Sequence, residues 1–74
     1  MTHLPRISGR EVVKALKQIG YEFDYQNSSH IILRHVSPPH RRLTVPDHNE
    51  VAKGTMRAII RQAGITVDEF RALL

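Results

Sequence analysis

Apolar residues first recur at helical spacing along the chain and then switch to alternation. Val12, Val13, Leu16 and Ile19 fall on one helical stripe. Ser8 and Glu11 precede it at capping-box spacing, and Gly20 stands where a left-handed C-terminal residue belongs. The pattern predicts a helix over residues 9–19. Tyr21, Phe23 and Tyr25 then alternate with Glu22, Asp24 and Gln26, the period of a half-buried strand. Asn27-Ser28-Ser29 has turn composition. A second strand runs from His30 to His35, with Ile31 and Leu33 on one face and His30, Ile32 and Arg34 on the other. Pro38 and Pro39 make the next segment a loop, because neither can donate to a ladder. The third strand is Arg41 to Val45, with Leu43 and Val45 facing one way and Arg42 and Thr44 the other, and Pro46 ends it. After a polar connection from Asp47 to Gly54, Thr55 is placed to cap a helix carrying Met56, Ile59, Ile60 and Ala63, which Gly64 stops. Thr66 and Glu69 form a second capping box, opening a short last helix with Val67, Phe70, Leu73 and Leu74.

This order predicts an α+β domain: a three-stranded antiparallel meander with the helices packed on one face. Tyr21, Phe23, Tyr25, Ile31, Leu33, Leu43 and Val45 are expected against the helices. Glu22, Asp24, His30, Ile32, Arg34, Arg42 and Thr44 are expected on the open face.

Composition narrows the function classes. The 74 residues make a single domain, 1–74, with a small core. There is no cysteine, which excludes disulfides, thiolate nucleophiles and cysteine-based zinc sites and points by default to the cytoplasm. No apolar run exceeds three residues, so no membrane span is expected, and the first residues lack signal-peptide character. The formal net charge of +4 hints at a polyanionic partner, and its layout says more. Arg10, Lys14 and Lys17 form one helical row, and Lys53, Arg57 and Arg61 form another. From His30 to Arg42 there are three arginines, three histidines and no acid. Such tracks can neutralise phosphates. They are equally what the solvated face of an amphipathic helix would carry in a protein that binds nothing.

The open sheet face holds the candidate chemistry. A histidine beside guanidinium groups suits phosphodiester cleavage: imidazole titrates near neutrality and can take or give a proton. Arginine offers a rigid fork of donors to the phosphate charge that grows in the transition state. RNA supplies its own nucleophile, the 2′-hydroxyl, so neither a metal nor a cofactor is expected. His30 is the candidate general acid or base; Ser29, Arg34, Arg42, Lys53 and Arg57 are the candidate RNA contacts. A histidine that opens a strand is more commonly just a solvated polar residue. The other histidines carry weaker signals: His35 has the wrong parity, His40 and His48 lie in loops, and no histidine spacing matches a zinc site. Ile60 to Phe70 resembles a helix-turn-helix core, but Asp68 and Glu69 would open its second helix with like charge toward phosphate. DNA binding is therefore the weakest alternative, behind a non-catalytic RNA-binding module.

Four stretches in order resemble the HicA-type toxins, small mRNA interferases of toxin–antitoxin pairs. They are Ser8 to Leu16 with Ile19-Gly20-Tyr21; Ser28 to His35; Thr44-Val45-Pro46 with His48; and Lys53 to Ile65. The resemblance implies a fold similar to a double-stranded-RNA-binding domain and ribosome-independent cleavage of single-stranded mRNA. It puts the catalytic role on His30. It also implies a HicB-type antitoxin as partner, covering the active site, with His30, Ile32 and Arg34 as the expected interface. Ser28 stands where the family has glycine. If that glycine serves a backbone with positive φ, serine is strained there.

Overall fold

The computed structural model describes residues 3–74. Its elements are α1 (Gly9–Lys17), β1 (Tyr21–Asn27), β2 (His30–His35), β3 (Arg42–Pro46), α2 (Lys53–Ala63) and α3 (Val67–Arg71). The sheet is antiparallel with strand order β1-β2-β3. The α+β fold expected from the periodicity is the fold observed.

Both capping boxes form. The Ser8 hydroxyl accepts from the Glu11 N–H at 3.2 Å while the Glu11 carboxylate accepts from the Ser8 N–H at 3.1 Å. Thr66 and Glu69 repeat the exchange at the start of α3. These bonds satisfy donors that a helix start leaves without intrahelical partners. α1 ends two residues before the predicted boundary, because Gln18, Ile19 and Gly20 donate three residues back and tighten the chain out of the helix. Gly20 has φ 101°, and a Cβ there would fall 2.6 Å from His35 Nε2, so both conformation and space demand glycine.

The core lies between the sheet and the helices. Val12 and Leu16 of α1, Leu33, Leu43 and Val45 of the sheet, Met56 of α2 and Phe70 of α3 are fully buried. Each such side chain contributes roughly 1.5–3 kcal/mol by leaving water. Tyr21 and Ile31 complete the sheet's inner face.

Two of the seven predicted inner residues do not pack there: Phe23 is 54% exposed and Tyr25 52%. The reason is a bulge in β1. Phe23 stands opposite Leu33, but Tyr25 stands opposite Ile32, so Asp24 is an extra residue and the parity reverses after it. Tyr25 thereby joins the open face. Phe23 keeps the inner parity but lies on the edge strand, where Arg10, Val13, Lys14 and Lys17 of α1 flank it without covering it.

Two boundaries also move. β3 runs Arg42–Pro46, one residue later than the alternation indicates. α2 starts at Lys53 with Ala52 as its N-cap, so Thr55 lies inside the first turn and does not cap. The start is set by tertiary structure: Val51 is buried and donates its N–H to the Ile7 carbonyl at 2.9 Å.

Candidate functional site

His30 opens β2 on the open face, paired with Asn27 of β1 and Pro46 of β3. Its side chain is exposed. It borders a shallow trough of about 340 Å³ whose other walls are Thr44, Pro46, His48, Ala52 and Thr55. The trough therefore runs from the start of β2 across β3 to the first turn of α2. That turn has no side-chain cap and no acidic residue. Its backbone N–H groups and the positive end of the helix dipole are compatible with an anion nearby.

Local backbone structure fixes this corner. Ser28 and Ser29 make the β1–β2 turn, and Ser28 takes φ 57°. The left-handed position anticipated for the family glycine is thus present and is filled by serine. The Ser29 carbonyl accepts from the Asp47 N–H at 2.6 Å, and the His48 carbonyl accepts from the Gly9 N–H at 2.9 Å. The Asp47 carboxylate accepts from Arg10 Nε at 3.2 Å and from Gln26 Nε2 at 3.2 Å. The bond from Arg10, helped by that from Gln26 and by the nearby positive charge, holds the Asp47 carboxyl below the usual carboxylate range. Gly9 allows the approach of α1 to this segment, since a Cβ there would lie 1.9 Å from the Pro46 oxygen.

The predicted RNA contacts fall into three places. Ser29 is in the turn beside His30. Arg34 and Arg42 face each other across β2 and β3 at the far end of the open face. Arg34 is four residues from His30, about 13 Å along an extended strand. Arg42 is not a free cation: its Nε donates to Asp24 Oδ2 at 3.0 Å, so the bulge residue of β1 reaches across the sheet to it. Lys53 and Arg57 are exposed on α2, one turn apart, with Lys53 next to the trough wall residue Ala52. Ile32 is half-buried on the open face, opposite Tyr25 on one side and Thr44 on the other.

The other histidines separate cleanly. His35 is structural: its Nε2 lies 2.9 Å from the Ile19 carbonyl and its Nδ1 accepts the Ser37 N–H at 3.0 Å. These two bonds require the neutral tautomer protonated at Nε2. Its ring also meets Tyr21 edge-on at 4.8 Å. His40 Nδ1 lies 3.1 Å from the His35 carbonyl. His48, which the sequence leaves in a loop, shares the trough with His30. The register that pairs His30 with Pro46 is what brings it there. Tyr25, by contrast, is put on the wrong face by the sequence, since perfect alternation gives no sign of a bulge. Among the described residues no group of three or more His, Asp or Glu is arranged to hold a metal ion. None of the described helices is long and apolar enough to cross a membrane.

The likenesses to known proteins agree with this geometry. The model of the family described as the HicA toxin of bacterial toxin–antitoxin systems matches residues 9–65, from the first residue of α1 to just beyond α2. The chain belongs to the HicA toxin family. The matched segment carries His30, the left-handed turn before it and the whole trough, and leaves out α3. A solved toxin–antitoxin complex from Streptococcus pneumoniae contains a chain with 32% identity and a TM-score of 0.68. That match covers 80% of this chain and 98% of the other. No curated protein matches. The helix-turn-helix likeness does not survive: α3 has five residues, buries Phe70 completely and uses Thr66 and Glu69 to cap itself.

Proposed function

We propose that this HicA-family toxin is an endoribonuclease that cleaves single-stranded mRNA without metal or cofactor. His30 acts as general acid or base, and the RNA 2′-hydroxyl is the nucleophile. The observation that carries this reading is the placement of His30: an exposed imidazole on the open sheet face, in a trough floored by β3 and walled by the start of α2. Imidazole there can exchange a proton with a ribose oxygen held in the trough. Lys53 and Arg57 follow the RNA backbone along α2, and Arg34 meets phosphate at the far end of the sheet. Ser29 contributes through the turn that aims His30. Arg42 acts there only if phosphate competes with Asp24 for its guanidinium.

A HicB-type antitoxin neutralises the toxin by covering the open face. His30, Ile32 and Arg34 form the expected contact, and the bulge adds Tyr25 beside Ile32. An aromatic and a branched aliphatic residue side by side, rimmed by charge, have the composition of an interface centre. The solved Streptococcus pneumoniae relative, a toxin–antitoxin complex, supports a partner of this kind.

Expression in a bacterial host tests the reading. The wild-type chain alone should arrest growth and deplete mRNA, and co-expression of the antitoxin should relieve both. His30→Ala should do neither while remaining folded. Equal toxicity of wild type and His30→Ala would remove His30 from the chemistry. RNA binding without cleavage by either chain would make the protein an RNA-binding module.

A further inference from the structure

Cleavage by a 2′-hydroxyl needs two proton transfers, and the sequence nominates one group. The 2′-oxygen attacks phosphorus and loses its proton. The bond from phosphorus to the 5′-oxygen breaks, and that oxygen must gain one. The products are a 2′,3′-cyclic phosphate and a 5′-hydroxyl. With attack and departure on opposite sides of phosphorus, two groups flanking one phosphodiester do this better than one.

We infer that His48 is the second acid/base residue, acting across the trough from His30. This rests on the ribonuclease reading. His30 and His48 are the titratable side chains among the residues that line the trough. They come from different elements, so neither is a neighbour of the other by chain proximity. The trough holds about 340 Å³ and is open to solvent, so an RNA strand can reach both imidazoles without a conformational opening.

Their juxtaposition is built into the backbone. Ser29, which precedes His30, is hydrogen-bonded to Asp47, which precedes His48. The Gly9 N–H holds the His48 carbonyl from the other side, and β2–β3 register sets His30 against Pro46. The side chain of Asp47 is turned to Arg10 and Gln26. That leaves the exposed imidazole of His48 at the trough wall while its backbone is fixed on both sides. The charged residues nearest in the chain are Asp47, Glu50 and Lys53, with Arg10 of α1 packed against Asp47.

One imidazole accepts the 2′-hydroxyl proton. The other, as imidazolium, gives its proton to the departing 5′-oxygen. The wild-type pH–rate profile should therefore be bell-shaped, with one limb from each histidine.

The test is single-turnover cleavage of an RNA oligonucleotide by wild type, His30→Ala, His48→Ala and His48→Gln, with affinity measured separately. Each variant should cleave about 10²–10⁴-fold more slowly. RNA affinity should change less than threefold, and each variant should lose one limb of the profile. Replacing the 5′-oxygen by sulfur supplies a leaving group that needs no proton. It should restore the rate of whichever of the two alanine variants lacks the acid, and of that one only. If wild type and both His48 variants cleave alike while His30→Ala does not, the inference about His48 falls and the ribonuclease reading stands. Rescue of neither alanine variant would also overturn the division of labour. If the wild type does not cleave RNA, both fall together.

Discussion

The Asp47 N–H donates to the Ser29 carbonyl at 2.6 Å, so the residues that precede His30 and His48 are joined backbone to backbone. This bond, with that from Gly9 to His48, makes the trough a property of the fold rather than of two independent loops. A site built on backbone contacts between packed elements keeps its geometry better than one on free side chains.

Gly9 is the tightest point of this arrangement. A methyl group there meets the Pro46 oxygen at 1.9 Å, so Gly9→Ala must push α1 and the β3 exit apart. Overpacking of this kind costs about 1–3 kcal/mol. Urea unfolding of Gly9→Ala should show that loss, and the displaced His48 segment should lower cleavage more than RNA affinity. Gly54 is the control: a Cβ there meets nothing within 4 Å, so Gly54→Ala should be neutral or stabilise by up to about 1 kcal/mol.

Ser28 sits at φ 57°, where a residue with a Cβ is strained by about 1–2 kcal/mol. Glycine removes the strain but loses more entropy on folding, by about 0.5–1 kcal/mol. Ser28→Gly should therefore raise stability by up to about 1.5 kcal/mol, the difference of the two effects. Thermal melting reads it directly. A lower melting temperature would contradict the strain.

Much of this fold is legible in the sequence, and the exceptions share a cause. The capping boxes at Ser8 and Thr66 and the alternation of β2 are local signals, and each forms as the residues indicate. Tyr25 and Thr55 mislead because the deciding interactions are distant. The bulge at Asp24 is accompanied by an ion pair reaching to Arg42, and the start of α2 is set by Val51 docking on Ile7. Parity alone puts His30 on the open face, where it stands. The nearness of His48 to it is not legible locally, since the register of β2 on β3 and the Ser29–Asp47 bond bring the two to one trough.

Asp47 ties stability to acid pH. Its folded-state pKa is lowered, chiefly by the bond from Arg10. Its contribution is therefore fully present above the unfolded carboxylate value of about 3.9 and is lost as pH falls through the lower folded value. Stability of the wild type should fall more steeply than that of Asp47→Asn below about pH 4. Parallel stability–pH curves for the two proteins would deny the link.

Tyr25 and Ile32 stand opposite one another on the open face and should anchor the antitoxin. Tyr25→Ala and Ile32→Ala should each weaken the complex by about 1–2 kcal/mol or more in a titration, the range of interface anchors. Phe23→Ala, on the α1 side of the sheet, should leave the complex unchanged. Loss of binding with Phe23→Ala but not with the other two would place the antitoxin on the opposite face.

The most direct test of the central claim is single-turnover RNA cleavage in excess chelator by purified wild type and His30→Ala. The account predicts that the wild type cleaves with chelator present and that His30→Ala is slower by about 10²–10⁴-fold at similar RNA affinity. Cleavage by His30→Ala at the wild-type rate, or cleavage that chelator abolishes in both, would contradict it.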